Sequence, residues 1–245
     1  MTIVAGGLKE KVLKRIKQGR SLNKISNEFG LNKTTVFYWY RKLGKSNAVK
    51  VKIQQNYDDE LVGEFIGIFA GDGCYYVDKK YHHSVMVLIN AKDKLYTAHV
   101  KSLISELFSK EPYVFIRKKG NVAMIRIDSK DIYLFIKSYL EWTGKKSHSV
   151  GLKKSPKDYT NDFLRGFVRG LFDTDGFIDR TVPRAVFGTV SKHLAKNMEE
   201  VLSLLGINYT KNVVIDKRGN RKPLIMIEIF RSQTNRLLKL INPVH

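Results

Sequence analysis

Cysteine is almost missing from this chain: Cys74 stands alone. That excludes an intramolecular disulfide and any zinc site built from several thiolates. Only five prolines occur in 245 residues, and no stretch is of low complexity, so extensive disorder is not expected. No apolar run approaches the length of a bilayer span, and the first residues lack the apolar core of a secretory signal. The expectation is a soluble, cytoplasmic protein with no membrane partner, or one housed inside an organelle. Acidic residues are also scarce, 23 against 44 basic ones, for a net charge of +21. Solubility needs far less, so a polyanionic partner is implied, nucleic acid first. The excess is spread along the chain: residues 1–50 hold 12 basic and 2 acidic residues, the remaining 195 hold 32 and 21. A long contact surface fits this better than a basic tail, and a merely solvated lysine-rich surface is the plain alternative.

What the chain does contain is a phrase used twice. Phe65-Ile66-Gly67-Ile68-Phe69-Ala70-Gly71-Asp72-Gly73 is matched by Val168-Arg169-Gly170-Leu171-Phe172-Asp173-Thr174-Asp175-Gly176. The acids Asp72 and Asp175 lie 103 positions apart, and Gly63 with Gly166, Gly67 with Gly170 and Gly71 with Thr174 keep that offset. Small residues at four-residue spacing form one stripe on a helix, and such a stripe lets two backbones approach closely. The two segments are therefore expected to pack on each other, with Asp72 and Asp175 at the same end.

That placement is costly for a purely structural role. Gly73 and Gly176 are expected to end the helices, putting each carboxylate in a last turn where the dipole is negative. Like charges there repel and raise at least one pKa. A divalent cation would relieve both penalties, and oxygen-only ligands with open positions suit magnesium. A single Asp-Gly would read as a carboxylate bonded to helix-end backbone; two at matched ends make that the weaker alternative.

The first 45 residues pattern as three helices. Leu8, Val12, Leu13 and Ile16 mark one, followed by Gly19; Ser21 can cap a second with Leu22, Ile25 and Phe29 inside. Gly30 supplies a turn, and a third helix runs from about Lys33 to Leu43, with Val36, Trp39 and Tyr40 for packing. Gly19-Arg20-Ser21-Leu22, Ile25-Ser26, Phe29-Gly30-Leu31, Thr34-Thr35-Val36 and Trp39 together resemble the helix-turn-helix module of resolvase and transposase DNA-binding domains. By that resemblance Lys33, Thr34, Thr35, Tyr38 and Arg41 face the major groove. The alternative is that Thr34 only caps the third helix and the tyrosines pack against it.

Beyond a linker at 46–56, the chain reads as built twice. A motif helix, strands near 74–79 and 84–90, a helix from Asp93 to Ser109 with Leu95, Val100, Leu103, Ile104 and Leu107 apolar, a hairpin turning at Gly120-Asn121, and a helix from Ser129 to about Trp142 form the first half, 57–142. The second half, 158–245, repeats this: motif helix 158–174, strands near 176–181 and 184–190, helix 191–205, a hairpin turning at 217–220, and a last helix at 232–241. Residues 143–157, with five lysines, are expected to tether the halves. Duplication of an αββαββα unit is the natural interpretation.

With these residues in view, the chain resembles a single-chain, two-motif LAGLIDADG homing endonuclease behind an N-terminal helix-turn-helix domain. The resemblance implies an α+β fold: tandem αββαββα halves with pseudo-two-fold symmetry, forming a saddle of antiparallel sheets, preceded by a small all-α three-helix domain. It implies a monomer that binds double-stranded DNA and makes a magnesium-dependent double-strand break at a long site, as in intron homing. Asp72 and Asp175 become metal-binding catalytic acids, with the carbonyls of Gly71 and Thr174 also facing the metals. Ala70 departs from the pattern where the second motif has Asp173. Lys94 and Lys192, at matched helix starts, are implied to contact water or the scissile phosphate, and Lys145 or Lys146 matches a lysine that follows the last helix of a half. A solvated lysine is the alternative for each.

Bases would be read from the strands and hairpin tips, with Arg117, Lys119, Arg180, Arg184, Lys217, Arg218 and Arg221 as candidates. Strand register decides among them, since a shift of one residue reverses the faces. Asp173-Thr174-Asp175-Gly176 is no calcium loop, because Val182 stands where its bidentate Glu would be. His82-His83 would point to opposite faces of a strand, and Cys74 has no paired base. Met1 at the start and Asn242-Pro243-Val244-His245 at the end, without a His-Asn pair, speak against excision as an intein. The competing expectation keeps the fold without cleavage: a transcription regulator, or a splicing maturase bound to intron RNA.

Overall fold

The computed structural model describes residues 6–18, 20–43, 57–79, 82–117, 120–179, 181–215 and 222–244. The chain divides into two compact units, Met1–Lys50 and Val51–His245. Lys119, Arg180, Lys217, Arg218 and Arg221, and the linker expected at 46–56, lie outside the described residues.

The first unit holds helices α1 (Gly6–Lys17), α2 (Leu22–Glu28) and α3 (Lys33–Lys42). Val12, Ile16, Ile25, Val36 and Trp39 form its core, with Leu22, Phe29 and Tyr40 packed around them. Gly30 takes a φ of +59°, a conformation that glycine adopts without steric penalty. The turn closes as Ser26 Oγ donates to the Leu31 carbonyl at 2.6 Å. Ser21 occupies the N-cap of α2 without bonding its backbone. Asn32, and not Thr34, holds the N-cap position of α3.

The second unit is the duplicated one. Its first half runs α4 (Asp59–Asp72), β1 (Gly73–Val77), β2 (His83–Asn90), α5 (Lys94–Phe108), β3 (Tyr113–Arg117), β4 (Val122–Asp128) and α6 (Lys130–Tyr139). After the connecting β5 (Leu140–Glu141), α7 (Lys146–Ser149) and β6 (Gly151–Leu152), the second half repeats the order. It comprises α8 (Asn161–Asp175), β7 (Gly176–Asp179), β8 (Arg184–Thr189), α9 (Lys192–Leu204), β9 (Tyr209–Val214), β10 (Leu224–Ile229) and α10 (Arg231–Ile241). The antiparallel sheets have matching strand orders, β1-β2-β4-β3 and β7-β8-β10-β9. The hairpin turn at Gly120-Asn121 has positive φ at both residues, the backbone that tight hairpins favour.

Alternation sets the faces of each sheet. Val85, Val87, Ile125 and Ile127 point into the core from the first, and Ala185, Phe187, Ile225, Ile227 and Ile229 from the second. In α5, Leu95 is 84% exposed and Tyr96 takes the inward position beside Val100 and Leu103. The expected tether at 143–157 has structure of its own: β5 pairs with β6, and Pro156–Asp158 form a turn of 3-10 helix. The buried Asn197 amide oxygen accepts the Leu152 N–H at 2.8 Å, tying this connection to α9.

Candidate active site

Helices α4 and α8 bring the two repeated phrases together. Asp58 caps α4 by accepting the N–H groups of Glu60 and Leu61, and Thr160 caps α8 by accepting that of Phe163. The Thr160 hydroxyl also donates to Asp59 at 2.6 Å, joining the two N-terminal ends. Along their length the backbones touch. A methyl placed on Gly63 or Gly67 would overlap the carbonyl oxygen of Phe163 or Phe167, and one on Gly166 or Gly170 that of Glu60 or Glu64. The four-residue glycine stripe is therefore the contact itself.

At the other end, Asp72 and Asp175 are the last residues of their helices. Gly73 and Gly176 follow with φ of −74° and −88°, extended and not left-handed. Glycine is needed there for space: a Cβ would strike the Phe69 or Phe172 backbone one turn back. The chain passes straight from helix into strand, so each acid stands at a helix–strand junction. A Cβ on Gly71 would lie 3.1 Å from Asp175 Oδ2, placing the second acid against the last turn of the first helix.

The cation between them is Lys146, carried by α7. Its ammonium donates to the carbonyls of Phe69 (2.7 Å), Ala70 (2.8 Å) and Gly71 (2.9 Å), acceptors of the last helical turn, of which that of Phe69 also accepts the Gly73 N–H. Burial lowers its pKa to about 8, and the charges of Asp175 and Asp72 hold it from falling further. Asp72 is pushed up to about 6, first by burial and then by the charge of Asp175, against the pull of Lys146. Burial likewise raises Asp175, again opposed by Lys146. Two half-buried carboxylates thus share one ammonium, leaving a net negative charge in poor solvent.

That charge balance fits a divalent cation. Among the described residues no group of three or more His, Cys, Asp or Glu side chains is arranged to hold a metal. The donors present, two carboxylates and helix-end carbonyls, suit an ion that keeps several waters and borrows phosphate oxygens, as magnesium does. The Gly71 carbonyl, expected to face a metal, is engaged by Lys146. Thr174 turns its hydroxyl back to the Gly170 carbonyl at 2.9 Å.

The other expected site residues separate into two sets. Asp72, Asp175, Gly71, Thr174 and Lys146 converge. Lys94 and Lys192 are exposed first residues of α5 and α9, behind the capping side chains of Asp93 and Ser191. Lys192 lines an open cleft of about 950 Å³ with His148, His193, Lys211 and Lys222. Arg117 is exposed at the end of β3. Arg184 is exposed and pairs with Glu228, Nε to Oε1 at 2.8 Å and Nη2 to Oε2 at 3.4 Å. His82, just before β2, bonds Asp78, while His83, its first residue, packs on Tyr75 and Tyr133. In the first unit Lys33, Thr34, Tyr38 and Arg41 are exposed on α3, and Thr35 is half-buried.

One neighbour of the acids, Tyr96, carried no sequence signal. Tyr96 is buried where Asp173 and Asp72 raise its pKa well above the usual phenol value, after burial itself. Its spacing reads as ordinary core. Asp173 accepts the Val244 N–H at 3.0 Å, drawing the C-terminal segment onto α8. Between the helices, Glu64 is fully buried, 2.5 Å from His99 Nε2 and 3.2 Å from Arg169 Nη1.

Comparison with known proteins gives the same fold. Residues 162–242 match the family described as LAGLIDADG-like domain. The homing endonuclease I-DmoI in complex with DNA and Mn superposes with a TM-score of 0.59 at 16% identity, covering 77% of this chain and 99% of that one. Full-length DUF199/WhiA from Thermatoga maritima gives 0.52 at 14% identity, covering 78% and 58%. Two curated proteins of Methanocaldococcus jannaschii are similar in sequence. One is the replication factor C small subunit, 29% identical over 69% of this chain and 8% of its own length. The other is glutamine--fructose-6-phosphate aminotransferase [isomerizing], 25% identical over 92% of this chain and 20% of its own. The chain thus spans a fifth or less of either relative. No described helix is long and apolar enough to cross a membrane.

Proposed function

We propose that this chain is a site-specific DNA endonuclease of the LAGLIDADG kind, which breaks both strands of a long duplex site with magnesium. The observation that carries this is the meeting of Asp72 and Asp175 at the shared end of two helices, with a single ammonium for two carboxylates. Such a site is electrostatically unfinished without a further cation. Asp72 and Asp175, with the carbonyl of Thr174, are the groups that would hold magnesium. When bound, magnesium supplies an activated water and stabilises the leaving oxygen in phosphodiester hydrolysis.

The remaining roles follow from placement. Lys146 holds the end of α4 in position and supplies positive charge beside the scissile phosphate. Tyr96 walls the acids from the core. Lys94 and Lys192 face backbone phosphates, and Arg117 and the hairpin tips contact the duplex. The first unit acts as an accessory DNA reader through Lys33, Thr34, Thr35, Tyr38 and Arg41, raising the effective concentration of the second on a shared target. Removing residues 1–45 weakens binding without abolishing cleavage at high protein concentration.

The decisive experiment is a cleavage selection on a randomised duplex library with magnesium or calcium, sequencing both cut ends and bound DNA. Asp72→Asn and Asp175→Asn run in parallel. Magnesium-dependent ends that share one motif, and vanish in both variants, are expected. Enriched but uncut DNA under every metal condition would overturn the endonuclease reading in favour of a regulator, and preference for structured intron RNA would favour a maturase.

A further inference from the structure

The two motif helices are secured at their acid-bearing ends by different means. At the end of α4 a side chain from the connection between the halves, Lys146, donates to helix carbonyls. At the end of α8 the helix supplies the side chains and a neighbouring segment supplies the backbone. Arg169 Nε donates to the Ile241 carbonyl, and Asp173 Oδ1 accepts the Val244 N–H at 3.0 Å. Arg169 and Asp173 are four residues apart, so they stand one above the other on a single face of α8. One donor and one acceptor thus grip residues 241–244 at both ends. Between the grips Asn242 takes a φ of +41°, and Pro243 has a fixed φ and no N–H to satisfy.

This clamp belongs to the second half alone. With the offset of 103, Ile66 and Ala70 stand in α4 where α8 has Arg169 and Asp173, and neither side chain can donate or accept. The clamped segments nevertheless correspond, because Lys146 and Val244 each follow the last helix of their own half, α6 or α10. Asp173 is only 7% exposed, and a carboxyl group is costly to bury unless hydrogen bonds compensate it. Two residues before Asp175, it projects about 200° around the helix from that acid. Asp173 is therefore placed to hold the helix end and not to share the cation of Asp175.

We propose that Asp173, backed by Arg169, is a positioning residue: by clamping residues 241–244 onto α8 it fixes the last turn that carries Asp175, as Lys146 does for Asp72. This rests on the endonuclease reading above and adds a residue to that site. Because the clamp acts on one acid and not on the other, its loss slows the cutting of one strand more than the other.

The test follows a supercoiled plasmid carrying the selected site through its nicked to its linear form, with the full chain and magnesium; affinity is measured separately in calcium. Asp173→Ala removes the acceptor. Asp173→Asn keeps an oxygen that can accept the Val244 N–H and removes only the charge. Val244→Pro removes the donor and leaves Asp173 in place. Asp173→Ala and Val244→Pro are each expected to lower turnover on one strand by up to about 100-fold, so that nicked plasmid accumulates while affinity is unchanged. The double variant should be no slower than either single one, and Asp173→Asn should cut like the parent. Amide hydrogen exchange at Val244 should be slow in the parent and in Asp173→Asn, and fast in Asp173→Ala.

A merely structural role would slow both strands alike or weaken binding. That result, parental cutting by Asp173→Ala and Val244→Pro, or failure of Asp173→Asn to restore cutting would each overturn the proposal. If Asp173→Ala does not fold, Val244→Pro decides among the same outcomes. A parent chain that cuts no DNA would overturn the endonuclease reading and this proposal with it, an outcome distinct from a parent that cuts and variants that cut equally well.

Discussion

The Lys146 ammonium donates to the Gly71 carbonyl at 2.9 Å, closing the last turn of α4 with a side chain 75 residues downstream. The same ammonium faces both repeated acids, so the end of one motif helix is electrostatically completed by the connection between the halves. Lys146→Met should therefore push the Asp72 carboxyl above its value of about 6. Carboxyl carbon NMR titration reads this directly. An unmoved midpoint would mean that the ammonium does not act on the acid.

The two acids and the lysine make neutral pH an unfavourable condition for this site. Asp72 is raised from 3.8 to about 6, so its contribution to stability is fully present below pH 4 and lost as pH rises through 6. Lys146 is lowered from 10.5 to about 8, so its contribution is present above pH 10.5 and lost as pH falls through 8. Between pH 6 and 8 both are missing. Metal-free Asp72→Asn should accordingly be more stable than the parent at pH 7, by on the order of 1–2 kcal/mol after allowance for solvent screening. Thermal melts in chelator across this range would show it, and a less stable variant would refute it.

The glycine stripe predicts a sharp contrast. Gly67→Ala or Gly166→Ala would drive a methyl into opposing helix backbone that has no side chain to move aside. A loss of about 3 kcal/mol or more, or failure to fold, is expected. Gly7→Ala in α1, where a Cβ meets nothing within 4 Å, should gain about 0.5–1 kcal/mol of helix propensity. Urea denaturation of the three variants distinguishes packing from propensity.

Glu64 depends on Arg169 and His99 for compensation of its buried charge. Arg169→Met should cost about 3–5 kcal/mol, because it strands a buried carboxylate. Adding Glu64→Gln should restore part of that loss, and a double-mutant cycle by denaturant measures the coupling. His99 has its pKa raised mainly by the hydrogen bond to Glu64, so His99 should titrate lower in Glu64→Gln.

Much of the fold was legible because it is local or repeated. Apolar spacing marked the helices, alternation marked the strands, and the 103-residue offset aligned two halves that proved to have the same strand order. The glycine stripe announced the close helix pair and placed both acids at one end before any coordinates. The role of Gly73 was less legible: sequence suggested a residue that ends the helix, and only the structure shows that glycine is needed for room beside the Phe69 backbone. Leu95 and Tyr96 exchanged roles because a one-residue rotation about a helix cannot be read from composition.

What the sequence determined by itself is therefore the set of elements, their duplication and the two acids, since periodicity and repetition are properties of the chain. Tertiary structure alone decided which lysine reaches the acids, which carboxylate pairs with Arg184, and which side chains of α8 grip residues 241–244. Each of these depends on groups far apart in the chain meeting at a distance of about 3 Å, typical of a hydrogen bond. Register and helix rotation fix that distance, and no local pattern encodes either.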